Sequence, residues 1–112
     1  MDHTVTLKKN YEFKRLYNRG KSAASKFVVV YCLSNGKAEN RLGITVSTKL
    51  GSAVHRNRIR RRLKEIYRLN ERSVRVGYNI VLVARQKSRG AGWIELESSV
   101  LALLGKLGLL LR

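Results

Sequence analysis

The twenty residues from Lys49 to Arg68, KLGSAVHRNRIRRRLKEIYR, leave little choice of local structure. From Arg56 to Arg68 there are seven Arg or Lys and one acid, Glu65. Ile59, Leu63, Ile66 and Tyr67 recur at i, i+4, i+7 and i+8, the spacing of one helix face. At about 100° per residue they form a single stripe. Asn57, Arg58, Arg60, Arg61, Lys64 and Arg68 fall on the opposite face, and Arg56 and Arg62 flank the stripe. The segment therefore predicts a helix that buries one edge and displays a dense cationic face. Like charges three or four residues apart destabilise a helix by roughly 0.2–0.5 kcal/mol per pair. A polyanion would relieve that repulsion.

The charge of the whole chain points the same way. Its 112 residues carry 24 Lys or Arg against 7 Asp or Glu, a net charge of +17. A merely solvated surface mixes both signs, so nucleic acid is the expected partner, ahead of an anionic membrane or an acidic protein. The length suits one domain, residues 1–112, able to bury about two-thirds of its unfolded surface without staples. Cys32 is the only cysteine and lies in the apolar run FVVVYCL, which reads as core. MDHTVTLKKN lacks the apolar stretch of a signal peptide. VLALLGKLGLLLR is too short to span a membrane, and Lys106 interrupts it. No membrane role and a cytoplasmic location are the default expectations.

Periodicity and turn signals predict the order α-β-β-β-α-β-α. A first helix runs over 8–19, with Asn10 as cap, Gly20 as stop, and Phe13, Leu16 and Tyr17 on its apolar face. Residues 21–25 form a short strand or an extended link. Residues 27–33 form a strand, and the Ser34-Asn35-Gly36-Lys37 turn predicts an antiparallel hairpin with a partner over 41–47. The basic helix follows, capped by Ser52 and ending near Asn70. YNIVLVA, residues 78–84, is a buried strand, and the passage from residue 42 to 84 can make two strands parallel. Residues 85–92 form a basic loop. A final helix runs from Trp93 to about Leu110, with Leu96, Val100, Leu103, Leu104 and Leu107 as its stripe. Leu109–Leu111 can be core, exposed patch or dimer contact. The class is α+β, a two-layer sandwich. Statistics alone predict a right-handed crossover.

No catalytic constellation accompanies the basic helix. His3 and His55 show no metal spacing, and the seven acids form no evident acid/base or two-metal cluster. Gly-rich phosphate loops, nucleophile elbows and zinc spacings are missing from the sequence. Phe13, Tyr17 and Tyr31 read either as core or as stacking platforms for single-stranded RNA, with Lys14 and Arg15 as nearby charge.

RNRIRRRLKEIYR, preceded by KLGSAV, resembles the Arg-Asn-Arg signature of the bacterial ribonuclease P protein subunit. NYEFKRLYNRGKS resembles that family's first helix, RLGITVSTKLGSAVHRNR its strand-to-helix passage, and GYNIVLVAR the strand that follows. The ordered set covers roughly residues 7–104. The resemblance implies a left-handed β-α-β crossover. It also implies a ribonucleoprotein endonuclease that removes the 5′ leader of precursor tRNA, with ribonuclease P RNA as the catalyst. Mg²⁺ would be bound mainly by that RNA, and the protein would lower the Mg²⁺ requirement and be a monomer when alone. By position match, Lys49, Arg56, Asn57, Arg58, Arg60, Arg61, Lys64 and Arg68 would bind the RNA subunit. Phe13, Lys14, Arg15, Tyr17 and Tyr31 would line the leader cleft. The chain has Thr48-Lys49 where the family often has a lysine pair, and Lys64 where it often has Arg. Two other readings fit the charge: a small ribosomal-type architectural RNA-binding protein, and a helix-turn-helix DNA-binding protein. The second needs a helix where residues 41–47 read as strand.

Overall fold

The computed structural model describes residues 1–111. Five strands form one sheet: β1 (Thr4–Thr6), β2 (Lys21–Ala24), β3 (Val28–Ser34), β4 (Asn40–Thr45) and β5 (Tyr78–Ala84). Three helices cover it: α1 (Asn10–Arg19), α2 (Ala53–Asn70) and α3 (Trp93–Lys106). The spatial order is β1-β4-β5-β3-β2. β4 lies parallel to β1 and β5, while β3 runs antiparallel to β2 and β5.

The predicted hairpin between residues 27–33 and 41–47 does not form, because β5 lies between β3 and β4. Five of the seven β5 residues are buried, so this strand needs cover on both faces and takes the sheet centre. The Asn35-Gly36 turn is locally as expected. Gly36 has φ 67°, and the Asn35 side chain accepts from Lys37 N–H at 2.8 Å. Asn35 also donates to the Asn79 side chain of β5 at 3.0 Å, so the turn carries the chain over the end of the intervening strand. Periodicity does not predict β1. At three residues it is too short to show alternation. α1 begins at Asn10, with Lys9 in the cap position and no side-chain cap. α3 ends at Lys106, short of Leu110, where Gly108 takes φ 74° and turns the chain back. Leu107 is half-buried beyond the helix end. Leu109 is buried, Leu110 bridges to Val74, and Leu111 is exposed.

The β4-α2-β5 crossover is left-handed. Leu42 turns its side chain to the α2 side and its carbonyl toward β1, accepting from Leu7 N–H at 2.9 Å. In an L-residue on an upward strand, with the side chain toward the viewer, the backbone N–H and C=O point right. β1 therefore lies right of β4 and β5 lies left, with α2 in front. Moving left through a connection in front of the sheet is the left-handed sense, against about 98% of such crossovers.

Alternation splits the sheet between two layers. Val28, Val30, Cys32, Ile80 and Leu82 face α2 and α3, where Ile59, Leu63, Ile66, Tyr67, Leu96, Val100, Leu103 and Leu104 complete the main core. The other face has only Leu7, Leu16 and Val81 fully buried, with Phe13, Tyr31, Leu33 and Val83 packed partly against them. α1 covers this second face incompletely.

Candidate nucleic-acid interface

Ser52 caps α2 as expected, accepting from His55 N–H. Its stripe is fully used: Ile59, Leu63, Ile66 and Tyr67 are all buried. The flanking arginines are anchors. Arg56 donates through Nε to the Gly51 carbonyl at 3.2 Å, and Arg62 through Nη2 to the Ala91 carbonyl at 2.9 Å. Arg56, expected to touch RNA, is thus half-buried and partly committed to the loop before its own helix.

The outer face carries the free charge. Arg58, Arg61 and Lys64 are exposed and have no ion-pair or hydrogen-bond partner among the described residues. Arg60 donates through Nη1 to the Asn57 side-chain oxygen Oδ1 at 3.2 Å, so the two residues brace each other on the exposed face. Arg68 is held by Glu65, with Nε–Oε1 at 2.8 Å. The Arg68 guanidinium keeps the Glu65 carboxyl below the usual carboxylate range. Arg68 therefore offers less unbalanced charge than Arg61. Lys49 is exposed in a single 3-10 turn over residues 48–50, which leads into α2. That turn is too short to be the first helix of a helix-turn-helix motif, and residues 40–45 are strand.

The aromatic residues meet on the other face. Tyr17 and Tyr31 are edge-to-face with centroids 4.9 Å apart, and Phe13 lies 6.5 Å from Tyr17. The Tyr17 hydroxyl reaches Thr45 Oγ1 at 3.2 Å. Leu16, on the same helix face, has no exposure, while Tyr17 is 40% exposed. Leu16 is thus the core residue of α1 and Tyr17 its rim. Phe13 sits on β4 because Gly43 makes room: a Cβ there would lie 2.7 Å from two ring carbons. Sheet register shows what lies ahead of the aromatics. Ala24, Val29, Val83 and Thr45 form one row across four strands, next to the row Ser22, Tyr31, Val81 and Gly43 that α1 overlies. Val29, Val83 and Thr45 are only half-buried, so this row is an open apolar floor beside Tyr17. The floor was legible in the odd-numbered residues of FVVVYCL and NIVLVA, once their strand faces are assigned. Lys14 and Arg15 are exposed on α1 outside the aromatic contact.

A buried polar network ties the amino terminus to the frame. Asn40, with no exposure, donates to the Tyr67 hydroxyl and the Arg75 carbonyl and accepts from Gly77 and Tyr78 N–H. Glu71 accepts from Asp2 N–H at 2.9 Å and His3 N–H at 3.3 Å. Burial pushes the Glu71 carboxyl up, but these hydrogen bonds outweigh it and hold the group below its usual value. Burial pushes the Tyr67 phenol up.

A strongly basic single-sheet protein with a cationic helix on one layer and a half-open aromatic cleft on the other belongs to the RNA-binding class. The chain belongs to the ribonuclease P family, whose model matches residues 1–108. It is 45% identical over 104 residues to the ribonuclease P protein component of Alkaliphilus oremlandii, covering 93% of this chain and 91% of that one. It is 46% identical over 105 residues to that of Clostridium kluyveri, covering 92% and 94%. The fold is similar to the Staphylococcus aureus RNase P protein, with TM-score 0.86, 33% identity and coverage of 94% and 96%. The Thermotoga maritima protein gives TM-score 0.83, 30% identity and coverage of 90% and 96%.

Proposed function

We propose that this chain is the protein subunit of a ribonuclease P, acting with ribonuclease P RNA to remove the 5′ leader from precursor tRNA. The observation that carries this reading is the division of labour within one small frame. The unpartnered Arg58, Arg61 and Lys64 on α2 face outward on one layer, and Tyr17, Tyr31 and the Val29–Val83 floor lie open on the other. Guanidinium forks suit the phosphates of a structured RNA. An aromatic pair over an apolar floor suits a single strand, because any base can stack there at about 1–3 kcal/mol.

The chemistry is assigned to the RNA. Each of the seven carboxylates already has a protein partner: Asp2 with Arg72, Glu12 and Glu39 with Arg41, Glu65 with Arg68, Glu71 with two backbone N–H groups, Glu95 with Gly92 N–H, and Glu97 with Asn70. None of these pairings gathers acids as a two-metal centre requires. Mg²⁺ is therefore read as held mainly by RNA, where it supplies the hydrolytic chemistry. The protein's contribution is to neutralise phosphates and hold the leader. The protein alone is read as a monomer, since Leu109 and Leu110 pack against its own core. No helix among the described residues is long and apolar enough to cross a membrane. A cytoplasmic place of work is part of the same proposal and is supported by the family.

The test is leader cleavage of a precursor tRNA by a bacterial ribonuclease P RNA at low Mg²⁺, with and without this protein. Cleavage that depends on the protein is expected. Tight RNA binding without stimulation would leave an architectural RNA-binding protein instead.

A further inference from the structure

β1 ends at Thr6, opposite Leu42, three residues before β4 does. Leu7 N–H bonds the Leu42 carbonyl, and the chain then leaves the sheet toward α1. β4 runs on to Thr45. Ile44 has the same parity as Leu42, so its N–H and C=O also point to the β1 side. Neither has a hydrogen-bond partner among the described residues, and Ile44 is half-buried. This bare edge opens into a groove of about 470 Å³ lined by Thr6, Leu7, Phe13, Ile44, Arg60 and Lys64, among others. The groove wraps around the sheet edge, with an α1 aromatic on one side and two cations of α2 on the other.

Those groups form a complete recognition set for one nucleotide. A ring face is offered by Phe13. An adjacent donor and acceptor are offered by the Ile44 backbone, matching the neighbouring acceptor and donor on the pairing edge of an unpaired base. Arg60 and Lys64 supply charge for the attached phosphate. Apolar walls with a few convergent polar groups, at this volume, are the form of a small-ligand site. The cationic pair argues for a nucleotide over a peptide strand added to the bare edge.

We propose that this groove takes one extruded, unpaired nucleotide of the RNA bound by α2, a site separate from the Tyr17–Tyr31 cleft. The inference rests on the ribonuclease P reading above. It makes α2 more than a phosphate clamp, because the helix also sets the register of the RNA through one base.

Two measurements on the full-length protein with a bacterial ribonuclease P RNA transcript test it. The first is amide exchange at Ile44 in the wild-type protein. With no hydrogen-bond partner, the Ile44 N–H should exchange fast in the free protein and slow at least about tenfold on RNA binding. The second is T6W, which fills the groove from an exposed position whose side chain makes no hydrogen bond. Affinity should fall about tenfold, the size of one lost stacked base. The salt slope should fall by no more than about 0.9, since at most the phosphate of that one nucleotide leaves Arg60 and Lys64. Base-specific probing should show one unpaired nucleotide protected by the wild-type protein and not by T6W. Tight binding with unaltered Ile44 exchange would overturn the groove alone and leave its edge to a peptide strand. Failure of the wild-type protein to bind the RNA would overturn the functional reading and this inference together.

Discussion

The two faces of the sheet are filled to different depths. Under α2 and α3, side chains from four strands and two helices close into a continuous core in which Leu63, Ile66, Ile80 and Leu82 have no exposure. Under α1, only Leu7, Leu16 and Val81 are closed off, and Tyr17, Val29 and Val83 are left part-open. The first face holds the fold, and the second holds apolar surface that folding did not need to cover. Apolar surface can thus stay open on this face without weakening the frame.

Mutations should separate the two faces. The largest effect is expected for L63A, where a fully enclosed leucine of the main core is lost. Destabilisation of about 2–5 kcal/mol is expected, read by urea unfolding, and a loss below 1 kcal/mol would show that this core is looser than its burial implies. Next is E71Q, which removes the charge that holds the amino terminus. A cost of about 1–3 kcal/mol near neutral pH is expected. The folded carboxyl titrates below its ordinary value, so its contribution is fully present above that ordinary value and is lost as pH falls through the folded pKa. Acid unfolding profiles of wild type and E71Q should converge once pH has fallen through the folded Glu71 pKa, and parallel profiles would contradict the assignment.

Y17A acts on the open face. Tyr17 is at the rim, so stability should change little, while affinity for leader-bearing precursor tRNA should fall by about 1–3 kcal/mol and that for mature tRNA should hold. Equal losses for both would argue against a leader cleft. The double variant R58A/R61A should weaken RNA binding and reduce the salt slope by about 0.7–0.9 per lost phosphate contact, with stability unchanged or slightly raised by relief of repulsion. R56A should differ from it by also lowering the melting temperature, because Arg56 is bonded to Gly51. Identical behaviour of the two variants would remove the distinction between anchoring and displayed arginines.

Much of this was readable in one dimension. The α2 stripe, its displayed face, its Ser52 cap and the flanking positions of Arg56 and Arg62 follow from a 3.6-residue period, which is local. The alternation of β3 and the enclosed character of β5 are local too. The partners of α2's flanking arginines lie outside the helix: Gly51 in the preceding loop, and Ala91 beside α3. Only the fold brings them there.

The kinds of element, β1 excepted, and the charge expected of a partner were also local, because periodicity and charge are properties of neighbours along the chain. Tertiary structure decided which strands pair. The Asn35-Gly36 turn was consistent with a hairpin, but the demand of β5 for cover on both faces placed it between β3 and β4. It also decided that a three-residue β1 could exist, held at β4 by pairing and by Glu71, and that it would stop short and leave Ile44 bare. Such features depend on contacts between residues tens of positions apart, and no local pattern encodes them.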